Sequence, residues 1–188
     1  MTAQRLLDQL QQESQTVTQQ VQEQLLSLDE KTLRQCPAPQ QWNALDCLEH
    51  LSLTYDYYLP QMEEAIHEAP TDTSQETYES TWLGRMSISS MKPKKGGKIP
   101  FKMKTFERIK PMTDHRSPQE IINRFINHQQ TFEHLTQQAQ NVSVNNTKVT
   151  TLAGPLIRLR LGDCFRFLLA HTQRHLLQAQ RALPSAHG

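Results

Sequence analysis

His171 and His175 stand four residues apart in the stretch GDCFRFLLAHTQRHLLQAQR, which runs from Gly162 to Arg181. On an α-helix that spacing stacks both imidazoles on one face, about one turn apart. Two neutral imidazoles so placed can bind one transition-metal ion, provided a third ligand arrives from another element. The same spacing also fits two ordinary histidines at a helix boundary. The rest of the chain has to supply the third ligand.

The helix that carries the pair is expected to open near Asp163, a good N-cap, and to bury Phe165, Leu168, Leu169, Leu176 and Ala179. His171 and His175 lie roughly 40° apart and about 80° to one side of that stripe. Cys164 and Gln178 point the same way. A second periodic stretch runs from Asn43, an N-cap residue, to about Ala69, with Ala44, Leu48, Leu51, Tyr55, Tyr58, Met62 and Ile66 as its apolar stripe. Pro60 falls inside that stripe and predicts a kink or a break. His50 sits on this second helix, roughly 120° from the centre of the stripe. It is either a surface histidine or a group facing a pocket at the edge of the core, as the His171 and His175 pair would.

Two further helices complete the scaffold. Leu6, Leu10, Val17, Val21, Leu25 and Leu28 mark a long first helix over about Thr2 to Leu28. Ser117-Pro118-Gln119-Glu120 is a capping box with proline at the first helical position, and it opens a helix whose stripe is Ile121, Ile122, Phe125, Gln129, Phe132 and Leu135. His128 lies near the core side of that helix and His134 opposite it. Each fits a hydrogen-bonded helix histidine, with His128 retained as an extra ligand or supporting group.

The connections differ in character. Residues 71 to 116 contain a loop, a short helix around Tyr78, Trp82 and Met86, and then KPKKGGKIPFKMKTFERIKP. Eight basic residues between Lys92 and Lys110 face one acid, Glu107. That run is either a solvated connection or an electropositive rim that attracts an anionic substrate. Phe101 and Phe106 interleave with it in a way that suits base stacking or pinning the loop to the helices. From Asn141 to Arg160, Val142, Val144, Val149 and Leu152 suggest short extended pieces, with a turn at Gly154-Pro155.

Composition narrows the function classes. The chain has 188 residues, of which 36% are hydrophobic and 21% charged, with a formal net charge of +1. That suits a single domain spanning residues 1–188, and the balanced charge makes a nucleic-acid partner an outside reading. No apolar run approaches the ~20 residues needed to span a bilayer, and the N-terminus lacks an apolar segment of the kind that directs secretion. The expectation is a cytoplasmic protein whose Cys36, Cys47 and Cys164 are free thiols.

Two stretches, QWNALDCLEHL around His50 and LGDCFRFLLAHTQRHLLQ around the pair, in this order and separated by the KPKKGGKIPFK insertion, resemble the DinB-like superfamily over essentially the whole chain. The resemblance implies an all-α fold, a four-helix bundle with long crossover connections, and a homodimer. It also implies a metal site built from one histidine of the second helix and an H-x3-H pair of the fourth. Carried over, these are His50, His171 and His175. Activities attached to the family include S-transfer with low-molecular-weight bacterial thiols, thiol-dependent isomerisation and metal-dependent hydrolysis. Three imidazoles suit Zn²⁺ or Ni²⁺ and leave a position for water or a thiolate. The expected protein is therefore a metal-dependent enzyme acting on a small substrate, anionic or a thiol, by hydrolysis or thiol transfer. The alternative is a non-catalytic small-molecule or protein binding bundle with a structural metal or none. Glu49 points about 100° away from its neighbour His50, Arg174 fits either a structural ion pair or a substrate carboxylate, and no residue is assigned a catalytic role.

Overall fold

The capping signals read from the sequence start two of the four long helices in the computed structural model, those behind Asn43 and Ser117, and the structure describes residues 1–72, 76–93, 105–113 and 115–184. Helix α1, Ala3–Leu25, opens on Thr2, whose side chain accepts from the backbone of Arg5. After a single turn, α2 (Glu30–Leu33), helix α3 spans Ala44–Glu68 behind an Asn43/Asp46 capping box. A short helix α4, Trp82–Met91, follows Thr81 as its cap. Helix α5, Pro118–Gln138, carries the Ser117/Glu120 box, and α6 spans Leu161–Ala182. Such caps satisfy N–H groups that the first turn would otherwise leave without partners.

The long helices pack in a ring, α1 against α5, α5 against α3, α3 against α6 and α6 against α1. Their apolar stripes meet in one contiguous core, in which Leu48, Leu51, Met62, Ile121, Phe125, Phe132 and Phe165 are fully shielded. Each such side chain contributes about 1.5–3 kcal/mol through burial. This is the four-helix architecture expected from the periodicity. Among the described residues no helix is long and apolar enough to cross a membrane.

Three local expectations need correction or refinement. Helix α3 continues through Pro60 without a break; Pro60 lies on the exposed face, where the carbonyl that loses its partner can turn to water. Helix α6 begins at Leu161, after Arg160, with no side-chain cap. Asp163 therefore sits inside the first turn, wholly buried. Its carboxylate accepts from Tyr78 (2.6 Å), Ser80 (2.5 Å) and both the backbone N–H and hydroxyl of Thr81 (3.0 and 2.9 Å). Finally, the extended pieces before α6 form a hairpin, strand β1 (Lys148–Thr151) antiparallel to β2 (Gly154–Arg160), with Val149 opposite Leu159 and an irregularity at Thr150/Thr151. Gly154 enters β2 at φ +135°, a conformation that excludes most side chains. The basic residues within 94–104, and Phe101 with them, lie outside the described residues.

Candidate metal centre

Helix α3 presents His50 two turns after its capping box, and α6 presents His171 and His175 one turn apart. Because α3 packs on α6, the three rings converge. Their centroids are 5.0 Å (His50 to His171), 4.5 Å (His50 to His175) and 4.6 Å (His171 to His175) apart. One ligand nitrogen from each lies within 4.8 Å of the others. All three are buried, at 3%, 6% and 8% exposure.

Burial sets their protonation. Removal from water disfavours the imidazolium, so His50 is lowered below the usual histidine range and His171 and His175 are lowered well below it. The positive charge of Arg174 pushes each in the same direction. At neutral pH the cluster thus consists of neutral rings with lone pairs.

One tautomer follows from geometry. His50 Nδ1 is 2.7 Å from the carbonyl oxygen of Ile109. A carbonyl only accepts, so Nδ1 carries the proton and His50 Nε2 carries the lone pair. That nitrogen faces His171 Nε2 at 3.1 Å. Two nitrogens on a tetrahedral zinc at about 2.0–2.1 Å would stand about 3.3 Å apart, so the observed separation fits shared coordination with little adjustment. The Nδ1 atoms of His171 and His175 are buried and have no hydrogen-bond partner among the described residues. The donor set, its neutral state and its spacing therefore fit a divalent transition metal, and the three histidines could hold one ion.

Aromatic rings close the site. Trp42, just ahead of α3, lies 4.8 Å from His50 and 5.7 Å from His175. Phe167 stacks almost parallel on His171 at 6.0 Å. Trp42 and Phe167 both belong to stretches singled out in the sequence. Ile109 contributes a backbone carbonyl from a short turn at Glu107–Ile109, and a backbone acceptor leaves no signature in residue type.

A family model described as the DinB superfamily matches residues 13–179, a span that contains all three histidines. The chain belongs to the DinB superfamily. Comparison with curated proteins and with solved structures gives no match.

Other candidates fall outside this DinB centre. His128 lies on α5, with Nε2 3.1 Å from an Asp56 carboxylate oxygen and its ring stacked on Tyr55. His134 bonds Gln138 at the surface. Glu49 is buried but bonds Arg116 at 2.7 Å and Arg124 at 2.9 and 3.0 Å. Cys164 is a core residue whose thiol burial pushes up.

Proposed function

We propose that His50, His171 and His175 hold a divalent transition metal, zinc or nickel, and that the protein is a metal-dependent enzyme acting on a small substrate by thiol transfer or hydrolysis. The observation that carries this reading is the convergence of three buried neutral imidazoles, one with its ligand nitrogen fixed by the Ile109 carbonyl. Bound there, the ion would supply a hydroxide or a thiolate near neutral pH by lowering the pKa of a bound water or thiol.

The chain's own groups do the rest. Ile109 orients His50 and keeps its proton on the far nitrogen. Trp42 and Phe167 shield the rings from water. Glu49 is engaged by two arginines, and this leaves the acid next to His50 poorly placed to take protons from a substrate. Thiol transfer needs no such base once the thiol is ionised, so it is the preferred branch. Of the basic segment, residues 105–110 border the centre through the Ile109 carbonyl.

A second reading, a binding bundle with a structural metal, is favoured by the burial of the three histidines. Two cavities, one beside Val21 and Leu176 and one beside Leu10 and Arg166, are not lined by them.

Metal analysis of untagged protein tests the proposal first. The expected result is about one zinc or nickel ion per chain, lost in His171→Ala; unchanged metal in that variant rules out the ligand set. Turnover of thiol–electrophile pairs, against simple esters and amides, then separates transferase from hydrolase, and metal without any turnover favours the structural reading.

A further inference from the structure

Residues 105–113 run along helix α3 in the reverse direction and form a strap on it. Thr113 Oγ1 donates to an Asp46 carboxylate oxygen at 2.9 Å, and the Ile109 carbonyl accepts from His50 Nδ1 at 2.7 Å. The Arg108 guanidinium lies 5.7 Å over the Tyr57 ring. At 100° per residue, Asp46, His50 and Tyr57 fall within roughly 40° of one another, so the strap follows one face of α3 for about three turns. His50 lies within that track.

Few groups anchor the strap. Of residues 105–113 only Ile109 and Thr113 are buried, at 6% and 5% exposure. Arg34 Nη1 adds a bond to the Thr113 carbonyl at 3.2 Å. Inside the strap, the N–H groups of Ile109 and Lys110 donate to the carbonyls of Phe106 and Glu107 at 3.1 and 3.2 Å. A segment held in this way opens at lower cost than the core helices.

The bond at His50 depends on the state of its ring. In a neutral imidazole Nδ1–H is an ordinary donor, and the net stabilisation is modest. A divalent ion on Nε2 would draw electron density from the ring and bring Nδ1–H towards a charge-assisted donor, a class roughly twice as strong.

We propose that metal occupancy of the centre and docking of residues 105–113 on α3 form one coupled equilibrium. An ion on His50 tightens the strap, and anything that lifts the strap loosens the ion. This rests on the metal reading above and adds a means of regulating it. Thr113, bonded to α3 one turn before His50, then acts on the metal through the strap and without touching the triad. A strap that merely covers α3 would dock equally with and without metal.

The test compares the full chain free of metal and loaded with zinc. Amide hydrogen exchange at Ile109 and Lys110 reports opening of the strap. A turn bond at the end of α1, from the Leu28 N–H to the Leu25 carbonyl at 3.2 Å, is the reference. The expected result is that zinc slows exchange at Ile109 and Lys110 about tenfold relative to Leu28. Reciprocally, zinc affinity should fall about tenfold in Ile109→Ala and about fivefold in Thr113→Val, while Ile109→Val keeps most of it. Exchange that slows no more in the strap than at Leu28 overturns the proposal. Unchanged zinc affinity in Thr113→Val also overturns it, even if Ile109→Ala binds weakly, because the effect would then be confined to the orientation of His50. Should Ile109→Ala fail to fold, Thr113→Val and the exchange rates decide on the same criteria. Protein that takes up no zinc sinks the metal reading and this proposal with it, whereas zinc bound with the strap unaffected sinks this proposal alone.

Discussion

His50 differs from His171 and His175 in what lies behind its ring. The Ile109 carbonyl holds its Nδ1 proton, while the Nδ1 atoms of the other two meet no partner among the described residues. Orientation of the triad therefore depends on the short turn at Glu107–Ile109 as well as on the two helices. Glu49, adjacent to His50, has a different task. It is 2% exposed and joins α3 to Arg124 of α5 and to Arg116 just ahead of it. Glu49→Gln should destabilise the fold by about 1–3 kcal/mol, a discounted figure because both arginines are partly exposed. Metal content should stay unchanged. Urea unfolding with metal analysis on the same preparation checks both, and loss of metal would put Glu49 in the centre after all. Helix spacing made the His171 and His175 pair legible in the sequence, and the family resemblance added His50 to it. The sequence could not reveal the Ile109 contact, since any residue offers the same carbonyl, nor the arginine partners of Glu49, since these depend on how α3 and α5 pack.

Helix α4 packs on α6 largely through an apolar cluster separate from the main core. Its buried residues are Gly84, Ile88 and Met91, and the last two pack with Ala170 and Phe167 in a small cluster of their own. Two polar anchors fix it to α6: Asp163, bonded to the chain just before α4, and Arg174, bonded to Ser90 near its end. Gly84 makes the first anchor possible. A Cβ there would lie 2.1 Å from the Asp163 carboxyl group, which is held by four hydrogen bonds and has little room to retreat. Gly84→Ala should therefore cost about 1–3 kcal/mol despite the better helix propensity of alanine. Thermal unfolding would show a lower midpoint, and an unchanged or raised one would mean that Asp163 moves freely. Sequence reasoning found α4 and placed Asp163 at a helix start, but assigned it the commonplace role of a cap. A buried carboxylate that gathers donors from a distant loop leaves no periodic signal, because its partners Tyr78, Ser80 and Thr81 lie some eighty residues away in the chain.

Across the whole molecule, buried acids that must stay protonated limit stability at high pH. Burial pushes the thiols of Cys47 and Cys164 well up and the Tyr55 phenol up to about 12. Their folded pKa values lie above the unfolded ones, so the stability they protect is complete below an ordinary thiol value near 9.0 and declines as pH rises beyond it. Each group costs about 1.4 kcal/mol per pH unit in that window. Urea midpoints should thus fall steeply above about pH 9, and a Cys47→Ala/Cys164→Ala variant should show a shallower decline. The same two cysteines also report on the metal. Cys47 lies on α3 and Cys164 on α6, both wholly buried, whereas Cys36 is exposed. An ion held by His50 on α3 and by His171 and His175 on α6 would join these helices across the core, and it would bind the folded chain in preference to the unfolded one. Linkage then raises stability by about 2.7 kcal/mol when free metal is a hundredfold above its dissociation constant. At neutral pH a thiol reagent should modify Cys36 at once and reach Cys47 and Cys164 only as the bundle opens. Stripping the metal with a chelator should lower the melting midpoint and speed labelling of both buried thiols about a hundredfold, provided opening and closing are fast relative to labelling. Restoring zinc or nickel should reverse both effects. Identical labelling rates with and without chelator would mean that no ion ties α3 to α6.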